Sequence, residues 1–195
     1  MRAVTTITGR MAPLDRADVD TDQIMPKQFL KRIERTGFGE FVFHDWREDP
    51  RFVLNDERYA GANVLVTGPN FGSGSSREHA PWGLQQYGFD AVVAPSFADI
   101  FRNNCAKNGL LTVTLPHDRC RALIRLAGED PRATIRIDLP EQIVVTALGT
   151  DHFEIDPHTK YLLVEGLDTI ALTLDRDDDI AAFERDRPAF MPVAR

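Results

Sequence analysis

Asn63-Val64-Leu65-Val66-Thr67, a Gly/Pro/Asn-rich turn, and then Gly72-Ser73-Gly74-Ser75-Ser76-Arg77-Glu78-His79 make one strand–loop–helix passage. The apolar run bounded by turn residues predicts a buried strand. A helix is expected over 77–87, ended by Gly88. Further along, Ala91-Val92-Val93-Ala94 predicts a second buried strand. A helix over 97–107 follows, with Ser96 as N-cap, Ile100 and Phe101 on its apolar face, and Gly109 after its end. Leu111 to Leu115 predicts a third strand. This alternation from Asn63 to Leu115 is that of an α/β layer structure.

Beyond it, Asp118 leads a helix over 119–127. The runs 134–139 and 142–148 alternate with period two around Pro140-Glu141, a hairpin that makes the sheet mixed. A short helix is expected over 159–165, and the acidic stretch Asp175 to Asp179 caps a last helix over 180–185. The first sixty residues, punctuated by Pro13, Pro26, Gly37, Gly39 and Pro50, read as an irregular arm with one short helix over 26–34. The expected organisation is a single three-layer α/β domain over 1–195: arm 1–60, core 61–150, short helical region 151–195.

With 43% hydrophobic and 27% charged residues, the 195-residue chain has an ordinary globular composition. Its 23 Lys+Arg against 30 Asp+Glu leave a net charge of -7, which disfavours nucleic acid unless basic residues gather in one patch. The only dense basic stretch, Lys27 to Arg35, is interrupted by Glu34 and preceded by Asp18, Asp20 and Asp22. No apolar run approaches the roughly 20 residues of a membrane helix, and polar Thr5, Thr6 and Thr8 stand where a signal peptide needs its apolar core. Cys105 and Cys120 form neither a CxxC motif nor a metal knuckle and read as packing residues of a cytoplasmic protein. His44, His117, His152 and His158 lack ligand-like spacing, so no metal site is expected on this chain.

The loop Gly72 to Arg77 lies where layered folds bind ligands, between a strand's C-terminus and a helix's N-terminus. Gly72 and Gly74 permit positive φ and close approach, and free N–H groups at the helix start can hold an anion. Arg77 offers a bidentate grip on carboxylate or phosphate. Three familiar motifs do not fit. A dinucleotide fingerprint needs Gly where Arg77 stands, a P-loop needs Gly-Lys-Ser/Thr, and a nucleophile elbow needs Gly-x-Ser-x-Gly. Ser75 could abstract a proton only if its oxyanion were strongly stabilised beside an electrophile that the chain does not obviously contain. A plain Ser-capped helix after a glycine turn, with Arg77 and Glu78 merely solvated, is the other reading of these residues.

The octapeptide Gly72 to His79 resembles the active-site loop of the aconitase superfamily's C-terminal swivel domain. Val19-Asp20-Thr21-Asp22-Gln23-Ile24-Met25-Pro26 resembles that domain's aspartate motif. Phe29-Leu30-Lys31-Arg32 stands where its substrate-selecting loop lies. Segments 35–39, 43–47, 80–82, 94–101 and 166–174 are similar to bacterial small subunits of the 3-isopropylmalate dehydratase family. Together these cover nearly the whole chain, although 112–158 matches mainly in layout.

The resemblance implies a β/β/α swivel domain that supplies half an active site. It implies a large-subunit partner, as a heterodimer or heterotetramer, carrying a [4Fe-4S] cluster that this chain's two cysteines could not hold. It also implies a hydro-lyase of leucine biosynthesis, converting 2-isopropylmalate to 3-isopropylmalate through isopropylmaleate. By motif position Ser75 is the base, and Ser76 and Arg77 bind a substrate carboxylate. Arg77 also stabilises the Ser75 oxyanion, and Asp22 orients the loop, unless Asp22 is simply a turn or cap residue. Lys31 or Arg32 would meet the second carboxylate, with Phe29 and Leu30 near the isopropyl group. Gly72, Gly74, Glu78 and His79 brace the loop. A related diacid, such as homoaconitate or citraconate, and a non-catalytic anion-binding module are the competing functions.

Overall fold

Apolar strands buried on both faces can serve two cores at once, and three of them do so here. The computed structural model describes residues 1–31, 34–174 and 176–187. Its strands are β1 (Thr6–Leu14), β2 (Val64–Thr67), β3 (Ala91–Ala94), β4 (Leu111–Thr114), β5 (Thr134–Asp138), β6 (Ile143–Thr146) and β7 (Gly149–His152). They form one seven-stranded sheet in the order β4-β3-β2-β1-β5-β6-β7. Pairing is parallel from β1 to β4 and antiparallel from β1 through β5 and β6 to β7. The helices are α1 (Thr21–Ile24), α2 (His79–Tyr87), α3 (Asp99–Asn108), α4 (His117–Glu129), α5 (Pro157–Glu165), α6 (Thr169–Leu174) and α7 (Asp177–Arg185).

Leu65, Val92 and Ala94 face one core, with Phe71, Leu84, Phe101 and the arm residues Val19, Ile24, Phe38 and Phe43. Val64, Val66, Ala91, Val93, Leu111 and Val113 face the other, with Leu123 and Ala127 of α4 and with Ile135, Ile137 and Val144. The fold is the mixed α/β layering expected. Arg119 of α4 also grips Asp151 of β7 with two bonds of 2.6 and 2.7 Å, tying the antiparallel strands to the helix layer.

Several expectations need correction. The arm is not irregular at its start, because β1 is the strand on which the parallel and antiparallel halves of the sheet meet. Thr6 to Arg10 pair with β5, and Met11 to Leu14 pair with β2. Pro13, which argued against a strand, stands past the end of the β5 pairing, where only one edge of β1 carries a partner. The helix expected over 26–34 is a 3-10 turn, Lys27–Lys31, within the described residues. Ser96 does not cap α3. Its hydroxyl accepts from the Asn70 N–H at 2.8 Å, and Ala98 occupies the cap position. Ile100 is 51% exposed, so the apolar face of α3 is set by Phe101 and Cys105 instead. Strand β7 and helix α6 were not expected, and α7 begins at Asp177, with the acidic residues inside its first turn.

Ile137 is fully buried opposite Ile7 at the antiparallel half of β1. Ile137→Ala should cost about 2–5 kcal/mol, read as a lower urea midpoint with unchanged slope. A loss below about 0.5 kcal/mol, the range of inert surface changes, would remove β5 from the cooperative core.

Candidate functional site

The chain leaves β1 and passes alongside the glycine loop, and backbone bonds fasten the two. The Asp18 N–H donates to the Pro69 carbonyl at 2.9 Å, and Asn70 Nδ2 donates to Asp18 Oδ1 at 2.8 Å. The Val19 carbonyl accepts from the N–H groups of Gly72 (2.8 Å) and Ser73 (3.1 Å), and the Thr21 N–H donates to the Ser73 carbonyl at 2.8 Å. On the other side Phe71 exchanges bonds with the segment leading into α3, Phe71 N–H to Ser96 carbonyl (3.1 Å) and Ala98 N–H to Phe71 carbonyl (3.0 Å). Both loop glycines are sterically required. Gly72 has φ +79° and Gly74 φ +89°, and a Cβ would overlap the Phe101 ring at the first and the Asp20 carboxylate at the second.

Helix α1 is only four residues long and is held by a capping box. Asp20 accepts from the Asp22 N–H at 2.6 Å, while Gln23 Oε1 accepts from the Asp20 N–H at 2.9 Å. Asp20 is therefore the cap, which leaves the Asp22 carboxylate available. One of its oxygens contacts the Arg77 guanidinium, and the other lies 3.2 Å from Lys27 Nζ. The Arg77 side chain is only 14% exposed, so the pair is shielded enough to hold the guanidinium in place. Thr21, almost fully buried, donates its hydroxyl to the Ser75 carbonyl at 3.1 Å. Gly74, Ser75 and Ser76 themselves are exposed.

Helix α2 starts at His79 rather than near Arg77. The two serines thus sit in the loop upstream of the helix, and Pro81 removes one donor from its first turn. The helix-start contribution expected for an anion is correspondingly smaller, and Arg77 carries more of it. Glu78 occupies the N-cap position without a side-chain capping bond. His79 lies edge-on to Phe38 with centroids 5.3 Å apart and against Trp82 at 4.9 Å. Burial holds its pKa below the ordinary imidazole value, with Glu78 opposing the shift and Arg77 reinforcing it.

The remaining predicted residues divide. Phe29 stacks on Phe41 at 4.0 Å and leans on His44 at 5.0 Å, and Leu30 is half-buried against the same core. Lys31 is exposed at the end of its 3-10 turn, and Arg32 lies outside the described residues. The structure brings Asp22, Arg77 and the Ser75 backbone together. Asp20, Thr21 and Lys27 are the additions. The Asp20-x-x-Gln23 spacing was a readable capping signal; nothing in the sequence announces that Lys27 turns back onto Asp22.

Residues 1–118, from β1 through both halves of this site, match the family model described as aconitase C-terminal domain. Residues 169–192 match the model for the C-terminal domain of the 3-isopropylmalate dehydratase small subunit. The 3-isopropylmalate dehydratase small subunit of Rubrobacter xylanophilus is 55% identical over 98% of both chains. That of Bacillus subtilis is 48% identical over 98% of this chain and 99% of its own. The chain belongs to the 3-isopropylmalate dehydratase small-subunit family. A solved structure of 3-isopropylmalate dehydratase from Methanocaldococcus jannaschii matches it with a TM-score of 0.67 at 25% identity, covering 91% of this chain and 98% of that one.

In this small-subunit family member, no donor set for a metal cluster assembles among the described residues. Among the described residues no group of three or more His, Cys, Asp or Glu could hold a metal ion. Cys105 and Cys120 are buried on separate helices. Burial pushes the Cys105 thiol well above its ordinary value and the Cys120 thiol up to about 12, the opposite of what a thiolate ligand needs. No helix among the described residues is long and apolar enough to cross a membrane.

Because the folded pKa of His79 is depressed, the folded chain binds fewer protons there than the unfolded chain. Its contribution to stability is full above about pH 6.5, the ordinary imidazole value, and is lost as the pH falls through the lower folded value. Urea midpoints measured from pH 7.5 to 5 should decline less in His79→Phe than in the wild type. Identical declines would take His79 out of the pH response.

Proposed function

We propose that the chain is the small subunit of a 3-isopropylmalate dehydratase and brings a serine base and a carboxylate clamp to an active site completed by the large subunit. The observation that carries this reading is the Asp22–Arg77 pair, which holds a guanidinium next to two exposed serines on the glycine loop. In the family reaction 2-isopropylmalate loses water to isopropylmaleate, which is rehydrated to 3-isopropylmalate, a stage of leucine biosynthesis. Elimination needs a proton taken from a carbon next to a carboxylate and a hydroxyl helped to leave from the neighbouring carbon.

Ser75 takes the proton, and Ser76 and Arg77 hold the carboxylate. Arg77 adds positive charge where the Ser75 oxyanion forms, and Asp22 prevents the guanidinium from rotating away. By motif position Phe29 and Leu30 would meet the isopropyl group, and Lys31 or Arg32 the second carboxylate. The departing hydroxyl needs a Lewis acid, which the [4Fe-4S] cluster of the large subunit supplies. Buried, unpaired thiols suit a reducing cytoplasm.

The purified chain should show no dehydratase activity alone and gain it on mixing with the cluster-bearing large subunit. In the reconstituted enzyme Ser75→Ala should lower kcat by several orders of magnitude while association survives. Robust turnover by the isolated chain rejects the division of the site between two chains; near-normal turnover of the reconstituted variant rejects the base. Arg77→Lys should reduce kcat/KM by about 10- to 100-fold, the equivalent of one charge-assisted hydrogen bond. Unchanged kinetics would move the carboxylate away from Arg77. Exposed Lys27 and Lys31 are cations that a longer acidic side arm could use, so homoaconitate belongs in the same assay. Preference for it over isopropylmaleate would change the substrate and keep the chemistry.

A further inference from the structure

We propose that Thr21 is a positioning residue for Ser75, acting through the Ser75 peptide and never touching substrate. The inference rests on the reading of Ser75 as the base. Thr21 is 1% exposed, and a buried hydroxyl must find an acceptor. It takes the Ser75 carbonyl at 3.1 Å, the one hydrogen bond to that carbonyl among the described residues. The Thr21 N–H takes the Ser73 carbonyl at 2.8 Å. The two carbonyls that flank Gly74 are thus held by a single residue.

Gly74 is the soft point of the loop, since its φ of +89° is open to glycine alone and the residue is exposed. Without the Thr21 hydroxyl, rotation about this glycine would swing the Ser75 peptide and with it the direction of the Ser75 side chain. Thr21 is also adjacent to Asp22, whose carboxylate sets Arg77. The four-residue helix α1, locked by its own capping box, therefore spaces the base against the carboxylate clamp. Catalytic geometry is sensitive on this scale. A misplacement of about 1 Å can cost on the order of 100-fold in rate.

The test uses the holoenzyme reconstituted from the small and large subunits, with isopropylmaleate as substrate. T21V and T21A lack the hydroxyl but differ in shape, and both should lower kcat by about 10- to 100-fold with KM within about threefold. T21S keeps the hydroxyl and should restore kcat to within about threefold of wild type. Adding T21V to S75A should produce no further loss, because a residue that acts through Ser75 has nothing left to act on. Wild-type kcat in T21V, a loss confined to KM, no rescue by T21S, or a further drop in the double variant would each overturn the proposal. Wild-type turnover in S75A would instead remove the serine base, and with it the group that Thr21 is inferred to place.

Discussion

The contact between the Asp22 carboxylate and the Arg77 guanidinium joins two stretches that are distant in sequence, and the site exists only because they meet. Its prerequisites run back through the fold. Asp20 must cap α1 so that Asp22 is not used as the cap. The loop must lie flat against Val19 and Thr21, which requires glycine at positions 72 and 74. Chain 19–22 must emerge beside the C-terminal end of β2, which follows from the parallel pairing of Met11–Leu14 with Val64–Thr67. A guanidinium that is 14% exposed and in contact with a carboxylate has little freedom left to lose on binding, and preorganisation of that kind favours it.

Much of this was legible in the chain itself. The runs 63–67, 91–94 and 111–115 announced buried strands because they are apolar, short and bounded by turn residues. Gly88 and Gly109 announced helix ends, which they cap at positive φ. Local chemistry of this kind survives folding. What was not legible is tertiary in origin. Strand β1 reads as broken because Pro13 lowers its local β preference, and only the change of partner along its length makes Pro13 tolerable. Ser96 reads as an N-cap, but the backbone of Asn70 claims its hydroxyl from across the sheet end. Ile100 reads as core, and its exposure follows from where α3 sits, which no spacing rule contains.

The candidate site divides along the same line. The octapeptide stood out in sequence as a candidate ligand loop from its glycines, serines and arginine. The pairing of Asp22 with Arg77 was not derivable from spacing, and neither was the role inferred for Thr21, since both depend on contacts between segments far apart in sequence, with Thr21 and Ser75 54 residues apart. Helix α2 also begins two residues later than its sequence suggests. The two serines therefore lie ahead of the helix and outside the strongest part of its N-terminal field, which fades within the first turn.

On the proposed reading, that displacement leaves Ser75 to be activated by something other than the helix start. An exposed serine hydroxyl sits in a high dielectric, where a nearby guanidinium lowers the cost of deprotonation only slightly. The same guanidinium acts far more strongly once water is excluded, because Coulomb energies scale inversely with the local dielectric. On this chain Ser75 and Ser76 face solvent, while everything that positions them is already buried or paired. On the proposed reading the small subunit holds geometry in advance and leaves the drop in dielectric to the large-subunit surface that would cover it. On that reading a base activated only by docking would do no chemistry before the electrophile is present, and positioning on one chain and desolvation by the other would be two halves of one mechanism.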